Sequence, residues 1–368
     1  MVDRHKPYNA LPPLPPVAEL ETVPVLRALT RASRALAELK GLSEAMPNAK
    51  LLVDALMLQE TQASSSIENV VTTQDELYKA QVLPDHAIAP QVKETLRYRA
   101  ALNAGLGALE QRPLNVNVFQ RIQGVLEQVE GRVRQVPGTT LKAGTNVIYT
   151  PPVGEHLIRD LLDNLVAYLY SDTGPDPLVR MAVAHYQFEA IHPFTDGNGR
   201  TGRIINVLYL VEQGLLPAPI LYLSGYLLHN RAIYYQLLDA VTQQQAFEEW
   251  VLFLLEGIAQ AARATVTKIH RLLDQMKLFA EDVRRVVPEV YSQELVSLLF
   301  RYPYCKYKLV EETLGVSRLT ARKYLLLLEN GELLTSEKVG TARYFLNQGL
   351  LRLLSEPYSF ESYGGKAA

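Results

Sequence analysis

The sequence predicts a mainly α-helical protein, with one β-hairpin near its middle and a helix–turn–helix plus hairpin at its C-terminal end. Three observations predict this. Apolar residues recur at a period of about 3.6, most clearly at Leu157, Ile158, Leu161, Leu162, Leu165, Val166, Leu169 and Tyr170. Two β-prone runs, Thr139–Lys142 and Val147–Thr150, flank a turn containing Gly144. Residues 308–330 read as a helix, a turn at Gly315 and a second helix, followed by strand-like runs at Leu333–Lys338 and Thr341–Leu346 across Val339 and Gly340.

In chain order, residues 1–16 form a Pro-rich extended arm and residues 17–110 are mostly helical, including the pattern Lys50–Ala63. Residues 111–281 make a central unit holding the hairpin, a helix at 155–170 and a further helical stretch at 246–284, whose single tryptophan, Trp250, reads as core. Residues 282–368 make a third unit. No internal repeat is evident.

The chain is 48% hydrophobic and 21% charged, the balance of a globular protein. Its net charge of −2 provides no general attraction to nucleic acid or anionic lipid. No apolar run reaches about 18 residues, so no membrane span is expected. The N-terminus lacks an apolar signal core, and the single cysteine, Cys305, has no intrachain partner. Together these point to the cytoplasm.

The chemistry concentrates in twelve residues, His192-Pro193-Phe194-Thr195-Asp196-Gly197-Asn198-Gly199-Arg200-Thr201-Gly202-Arg203, lying between two apolar helical patterns. Gly197 and Gly199 allow backbone conformations closed to other residues, so their N–H groups can converge on an anion. The run from Arg200 opens a helix, whose N-terminus favours phosphate. Arg200 and Arg203 lie three apart on one face and can fork onto phosphate oxygens. Asp196 offers a hard oxygen to Mg²⁺, and His192 is a proton acceptor near neutral pH. Residues 197–202 also satisfy G-x-G-x-x-G. However, a helical pattern precedes them and no acid stands at Leu221–Leu223, so the dinucleotide-binding reading fails. No Gly-Lys-Ser/Thr is present there to make a Walker loop.

These twelve residues resemble the signature of the Fic family, H-P-F-x-[DE]-G-N-G-R-x-x-R, at every specified position. The resemblance implies a helical Fic core with a β-hairpin flap and transfer of AMP from ATP to a hydroxyl of a target protein, and of the protein itself. It assigns His192 as general base and Asp196 as the Mg²⁺ ligand. It assigns Gly197, Asn198, Gly199, Arg200, Thr201, Gly202 and Arg203 to the nucleotide, with both arginines on the β- and γ-phosphates. Ser64-Ser65-Ser66-Ile67-Glu68-Asn69 resembles the family's inhibitory motif, [ST]-x-x-x-E-[GN], so Ser64 and Glu68 are expected to block the γ-phosphate space through Arg203. The hairpin resembles the family's flap, where Lys142, Val147, Ile148 and Tyr149 would dock an extended target segment. Tyr235, in Tyr234-Tyr235, stands where the family often places a tyrosine near adenine. The Pro-rich arm also resembles the start of such proteins.

The third unit resembles a winged helix-turn-helix, with Arg318, Arg322 and Lys323 on its second helix. Its residues 291–350 hold eight Lys/Arg against six Asp/Glu, a weak footprint for DNA, so protein docking or dimerisation competes with DNA binding. Alternatives stay open at this level. They are removal of AMP with Glu68 positioning water, use of another nucleotide, a DNA-binding regulator whose Fic core senses nucleotide, and a homodimer that tunes access of Glu68.

Overall fold

Helix starts follow the capping chemistry of the sequence. In the computed structural model, which describes residues 2–45, 49–83, 85–339 and 342–364, the Thr22 hydroxyl accepts from the Val25 N–H to open α1 (Val23–Glu44). Thr73 and Glu76 form a reciprocal capping box on α3 (Gln74–Ala80). Asn115 caps α5 (Val116–Glu127), and Asp176, followed by Pro177 at the first helical position, caps α7 (Pro177–Ile191). α2 (Ala49–Ile67) and α4 (Pro90–Leu109) lie between these. α2 runs four residues beyond the expected end at Ala63 because Ile67, fully buried, extends its core-facing side. Ser64 therefore sits inside the last helical turn.

The centre of the molecule is the pair α7 and α8 (Asn198–Glu212), each buried on nearly every side. A helix apolar all round belongs in a core. Around them pack α2, α4, α5, α6 (Glu155–Leu169) and α11 (Phe247–Val286). The apolar stripe read over 155–170 is the buried face of α6: Ile158, Leu161, Leu162, Leu165 and Leu169 all point inward. Trp250 is core, as expected, its Nε1–H donating to the Ala182 carbonyl at 2.7 Å. α9 (Leu223–His229) and α10 (Arg231–Gln244) close one end. α1 lies along α11, which is one unbroken helix crossing the expected boundary at residue 282.

The expected hairpin is present as β1 (Leu141–Ala143) and β2 (Asn146–Tyr149), antiparallel, with Lys142 opposite Val147. The N-terminal arm is strapped to the core. Asn164 brackets Leu14, accepting from its N–H at 2.7 Å and donating to its carbonyl at 2.9 Å, and the Gln187 side chain donates to the Pro12 carbonyl.

The C-terminal part begins with α12 (Gln293–Arg301). α13 (Tyr307–Leu314) and α14 (Arg318–Asn330) follow, separated by Gly315 at φ +64°, where a left-handed residue turns the chain. β4 (Thr335–Val339) and β5 (Ala342–Leu346) form the expected hairpin, although Gly340 and Thr341 lie outside the described residues. Two elements exceed the sequence reading. β3 (Tyr304–Cys305) joins the sheet in the order β3-β5-β4, and α15 (Gln348–Ser355) carries the chain back to the core. Among the described residues no helix is long and apolar enough to cross a membrane.

Candidate active site

The twelve-residue motif is the connection between the two central helices. His192 ends α7 in the left-handed region at φ +48°, and Gly197 precedes α8 at φ +76°. Asn198 knits the turn: its Oδ1 accepts from the Phe194 N–H and its Nδ2 donates to the Phe194 carbonyl, both at 2.8 Å. Gln123 of α5 donates to the Asp196 carbonyl at 3.3 Å. α8 begins without a side-chain cap, so its first N–H groups are available to an anion.

The anion at this helix end is the Glu68 carboxylate. Its Oε1 accepts from Arg203 at 2.8 Å and lies over Gly199, where any Cβ would collide with it. Arg203, 2% exposed, also donates through Nε to the Ser64 hydroxyl at 2.8 Å and through Nη2 to the Ser64 carbonyl at 3.0 Å. The end of α2 thus supplies three acceptors to one buried guanidinium. Burial opposes both charges, and each offsets the other: Arg203 holds the Glu68 carboxyl below its ordinary range, and Glu68 holds Arg203 above its own. Removing the carboxylate alone would leave Arg203, among the described residues, with only the two Ser64 acceptors.

Arg200 does not share this arrangement. It is buried and paired with Glu94 of α4 at 2.9 Å and Glu127 of α5 at 3.0 Å. The two arginines leave the first turn of α8 toward different helices. Glu127 also crowds Gly197, where a Cβ would lie 2.5 Å from its Oε1. Burial raises the Glu127 carboxyl; Arg200 works against this and Asp196 adds to it. Asp196 is exposed, one oxygen accepting from the Gly197 N–H at 2.7 Å. Among the described residues no group of three or more His, Cys, Asp or Glu could by itself hold a metal.

His192 is pushed down to about 4, first by burial and then by the Arg134 charge, so its imidazole is neutral at physiological pH. Its Nδ1 is buried with no hydrogen-bond partner among the described residues. Arg134, absent from the sequence-based candidates, holds the turn in place. Its Nε donates to the His192 carbonyl at 2.7 Å, a terminal nitrogen donates to the carbonyls of Pro152 and Ile191, and its own N–H donates to the Pro193 carbonyl at 2.9 Å. Among the described residues the structure pairs it with no carboxylate, and burial lowers its pKa. It bolts the His192 turn to the segment leaving the hairpin.

Glu189, one turn before His192, is the other group the sequence reading missed. Its Oε1 is buried and unpartnered among the described residues, 2.6 Å from where a Gly202 Cβ would stand, and burial raises its carboxyl to about 7 against the pull of Arg203. Thr201 is fully buried behind this turn. Tyr234 is buried, its hydroxyl 3.0 Å from His185 Nε2, whereas Tyr235 is 38% exposed on the same helix with Arg231 over its ring. In the hairpin, Lys142 is exposed and Val147 and Ile148 are half-buried. Tyr149 anchors its base, donating to the Ala190 carbonyl at 2.8 Å and meeting the Tyr8 ring edge-on.

Residues 26–107 match the family model described as Fic/DOC family N-terminal, and residues 113–210 match Fic/DOC family. Residues 275–350 match the model described as protein adenylyltransferase SoFic-like, C-terminal domain. Protein adenylyltransferase fic-1 of Caenorhabditis briggsae is 32% identical over 123 residues, 32% of this chain and 23% of that protein. Probable protein adenylyltransferase aq_aa38 of Aquifex aeolicus is 27% identical over 139 residues, 37% of this chain and 39% of that protein. The chain therefore matches well under half the length of these curated relatives. A Fic family protein from Desulfovibrio desulfuricans shares the fold, with a TM-score of 0.60 over 91% of this chain and 99% of that one, at 21% identity. With the three models lying side by side along most of its length, the chain belongs to the Fic/DOC family.

Proposed function

We propose that this protein is an adenylyltransferase that transfers AMP from ATP to a hydroxyl side chain of a target protein, and of itself, and that it is held inactive by Glu68. The observation that carries the reading is the carboxylate of Glu68 on Arg203, at 2.8 Å, over the bare first turn of α8. A carboxylate at an uncapped helix N-terminus beside a buried arginine marks the place where a phosphate would bind.

In this reading the Glu68 carboxylate gives way to the γ-phosphate, which takes over as counter-charge of Arg203. The α8 amides and the glycines at 197 and 199 hold the remaining phosphates. Asn198, which fixes the turn through Phe194, sets the position of these amides near the α-phosphate. Arg200 reaches the β-phosphate only by releasing Glu94 or Glu127. Thr201 and Gly202 pack the turn, and Tyr235 lies against adenine. Asp196 is a single exposed carboxylate, and Mg²⁺ commonly takes one or two carboxylates plus substrate phosphates, so the residue present fits that ion. When bound, Mg²⁺ would neutralise charge on the phosphates.

His192, neutral at pH 7, accepts the proton of the target hydroxyl as its oxygen attacks the α-phosphorus. The α–β bridging bond breaks and pyrophosphate departs. The rate comes from alignment and charge stabilisation. The flap residues Lys142, Val147 and Ile148 pair with an extended target segment by strand addition.

The test is intact-mass spectrometry of wild type, Glu68→Gly and Glu68→Gly/His192→Ala after incubation with ATP and Mg²⁺. An AMP-sized gain in Glu68→Gly, absent from the double variant, is expected. A gain that persists without His192 removes it as the base. No gain in any variant, with a supplied target protein also unmodified, overturns the adenylyl-transfer reading.

A further inference from the structure

The segment carrying Ser64 and Glu68 is gripped on both flanks by the C-terminal part of the chain. Upstream, Asp54 of α2 pairs with Arg301 of α12 at 3.1 Å. One turn before Ser64, the Gln59 amide is used at both ends. Its Nε2 donates to the Leu354 carbonyl of α15 at 2.7 Å, and its Oε1 accepts from the Tyr358 hydroxyl at 2.5 Å. Downstream, the Tyr304 hydroxyl of β3 donates to Asp75 of α3. Glu337 of β4 pairs with Lys79 at 3.2 Å, and the Val82 carbonyl accepts from Lys306 and from the Tyr344 hydroxyl.

The tail beyond α15 extends the grip. Lys268 of α11 donates to the carbonyls of Leu353 and Glu356, and the ring of Tyr358 packs against Tyr222 at a 35° tilt with centroids 4.2 Å apart. The Tyr363 N–H donates to Asn230 at 2.9 Å. The next residue, Arg231, donates to the side chain of Asn69, immediately after Glu68.

We propose that the C-terminal module is the internal regulator of the inhibitory segment: it holds α2 and α3 in register, so that Glu68 stays on Arg203. A partner that pulls this module away would release the carboxylate from the helix end. The proposal rests on the inhibitory reading of Glu68, but its physical core can be measured without nucleotide. Within the segment, the N–H groups of Glu68, Asn69 and Val70 bond to the carbonyls of Ser65, Ser66 and Ser65 at 3.0–3.1 Å, and they report its opening directly.

The experiment uses the full chain with Tyr304→Phe, Lys79→Met and Tyr358→Phe combined. These changes keep the apolar volumes and remove three of the polar ties, those of Tyr304 to Asp75, Lys79 to Glu337 and Tyr358 to Gln59. Hydrogen exchange at residues 68–70 should accelerate about tenfold without nucleotide, while α5 stays as protected as in wild type. Self-modification with ATP should rise severalfold in this variant, and the same changes should add nothing in the Glu68→Gly background. Unchanged exchange at 68–70 overturns the proposal, as does an equal rise in both backgrounds. Faster exchange with no transfer, even in Glu68→Gly, supports the grip and counts against adenylyl transfer instead. If the triple variant is unfolded, Arg301→Gln alone carries the same exchange test.

Discussion

Arg134 donates from Nε and one terminal nitrogen to main-chain carbonyls of the His192 turn and of Pro152, which fixes the place of His192, and its charge adds to burial in lowering the proton affinity of that imidazole. Arg134→Met should therefore do two things. NMR titration should place His192 above the value of about 4, because a positive charge that disfavours the imidazolium is gone. Turnover in a Glu68→Gly background should fall by on the order of 100-fold, with little change in ATP affinity, since a small misplacement of a reacting group costs that much. A lower rate with unchanged titration would limit Arg134 to packing. Arg134 was not legible in the sequence because its partners lie near residues 152 and 192, and nothing local marks an arginine destined for carbonyls. His192, Asp196 and the glycines were legible because their spacing is contiguous and dictated by a single turn. Arg200 lay between these cases: its position on the helix was readable, but its diversion to Glu94 and Glu127 depends on two other helices.

At the scale of elements, α7 and α8 form the buried central pair, and the hairpin borders their junction. The hairpin is tied to α7 at its base by Tyr149 and left open at Lys142. Tyr149→Phe should lower stability by about 1 kcal/mol, the net worth of a typical hydrogen bond, read as a modest drop in Tm. Val147→Pro should raise the KM for a target protein while leaving ATP binding intact, because proline removes an N–H and stiffens the strand that a target would extend. An equal loss of ATP affinity would show that the hairpin acts on the nucleotide. Helices and hairpins were readable here through period and turn residues. β3, with two residues, is too short to show any alternation, and α15 is announced by one residue alone, Asn347, whose side chain accepts from the Leu350 N–H at 3.0 Å. In the C-terminal part, Arg301 and Arg343 are paired with Asp54 and Glu329, and Lys306 with a main-chain carbonyl. Three of the eight basic residues counted in the sequence thus hold the molecule together, whereas Arg318, Arg322 and Lys323 on α14 are exposed.

Across the whole molecule, buried titratable groups set opposing dependences on pH. His185 and His192 are lowered by burial, to about 3 and about 4. Below their unfolded value of about 6.5, the unfolded chain binds more protons, so stability falls as pH drops toward 4. Glu60, which accepts from the Ser224 N–H and hydroxyl, and Glu189 are both raised to about 7, first by burial. Above their unfolded value of about 4.3, the folded chain holds more protons, so their contribution is lost as pH rises toward 7. The windows overlap, so the expected Tm profile is flattest between about 4.3 and about 6.5, where the two slopes oppose each other, and falls on either side. In Glu60→Gln, the Tm difference from wild type should grow more favourable as pH rises from 5 to 7.5; a constant offset would rule out titration of Glu60 in that window.

Gly199 gives the proposed inhibitory contact an asymmetry that reaches beyond this fold. The room above it is used by the Glu68 carboxylate, and in the proposed active state the same room receives phosphate. A side chain at 199 would evict both. Inheritance therefore treats the two sides of the contact differently. Changes on the α2 side can yield an unrestrained enzyme in one step, whereas changes at the start of α8 can only silence it. A random library selected for excess self-modification should accumulate substitutions around residues 59–82 and almost none between 197 and 203. The brake can be lost by mutation without harming the engine, but not the reverse, and a cell carrying such an enzyme has reason to keep several separate holds on that one helix.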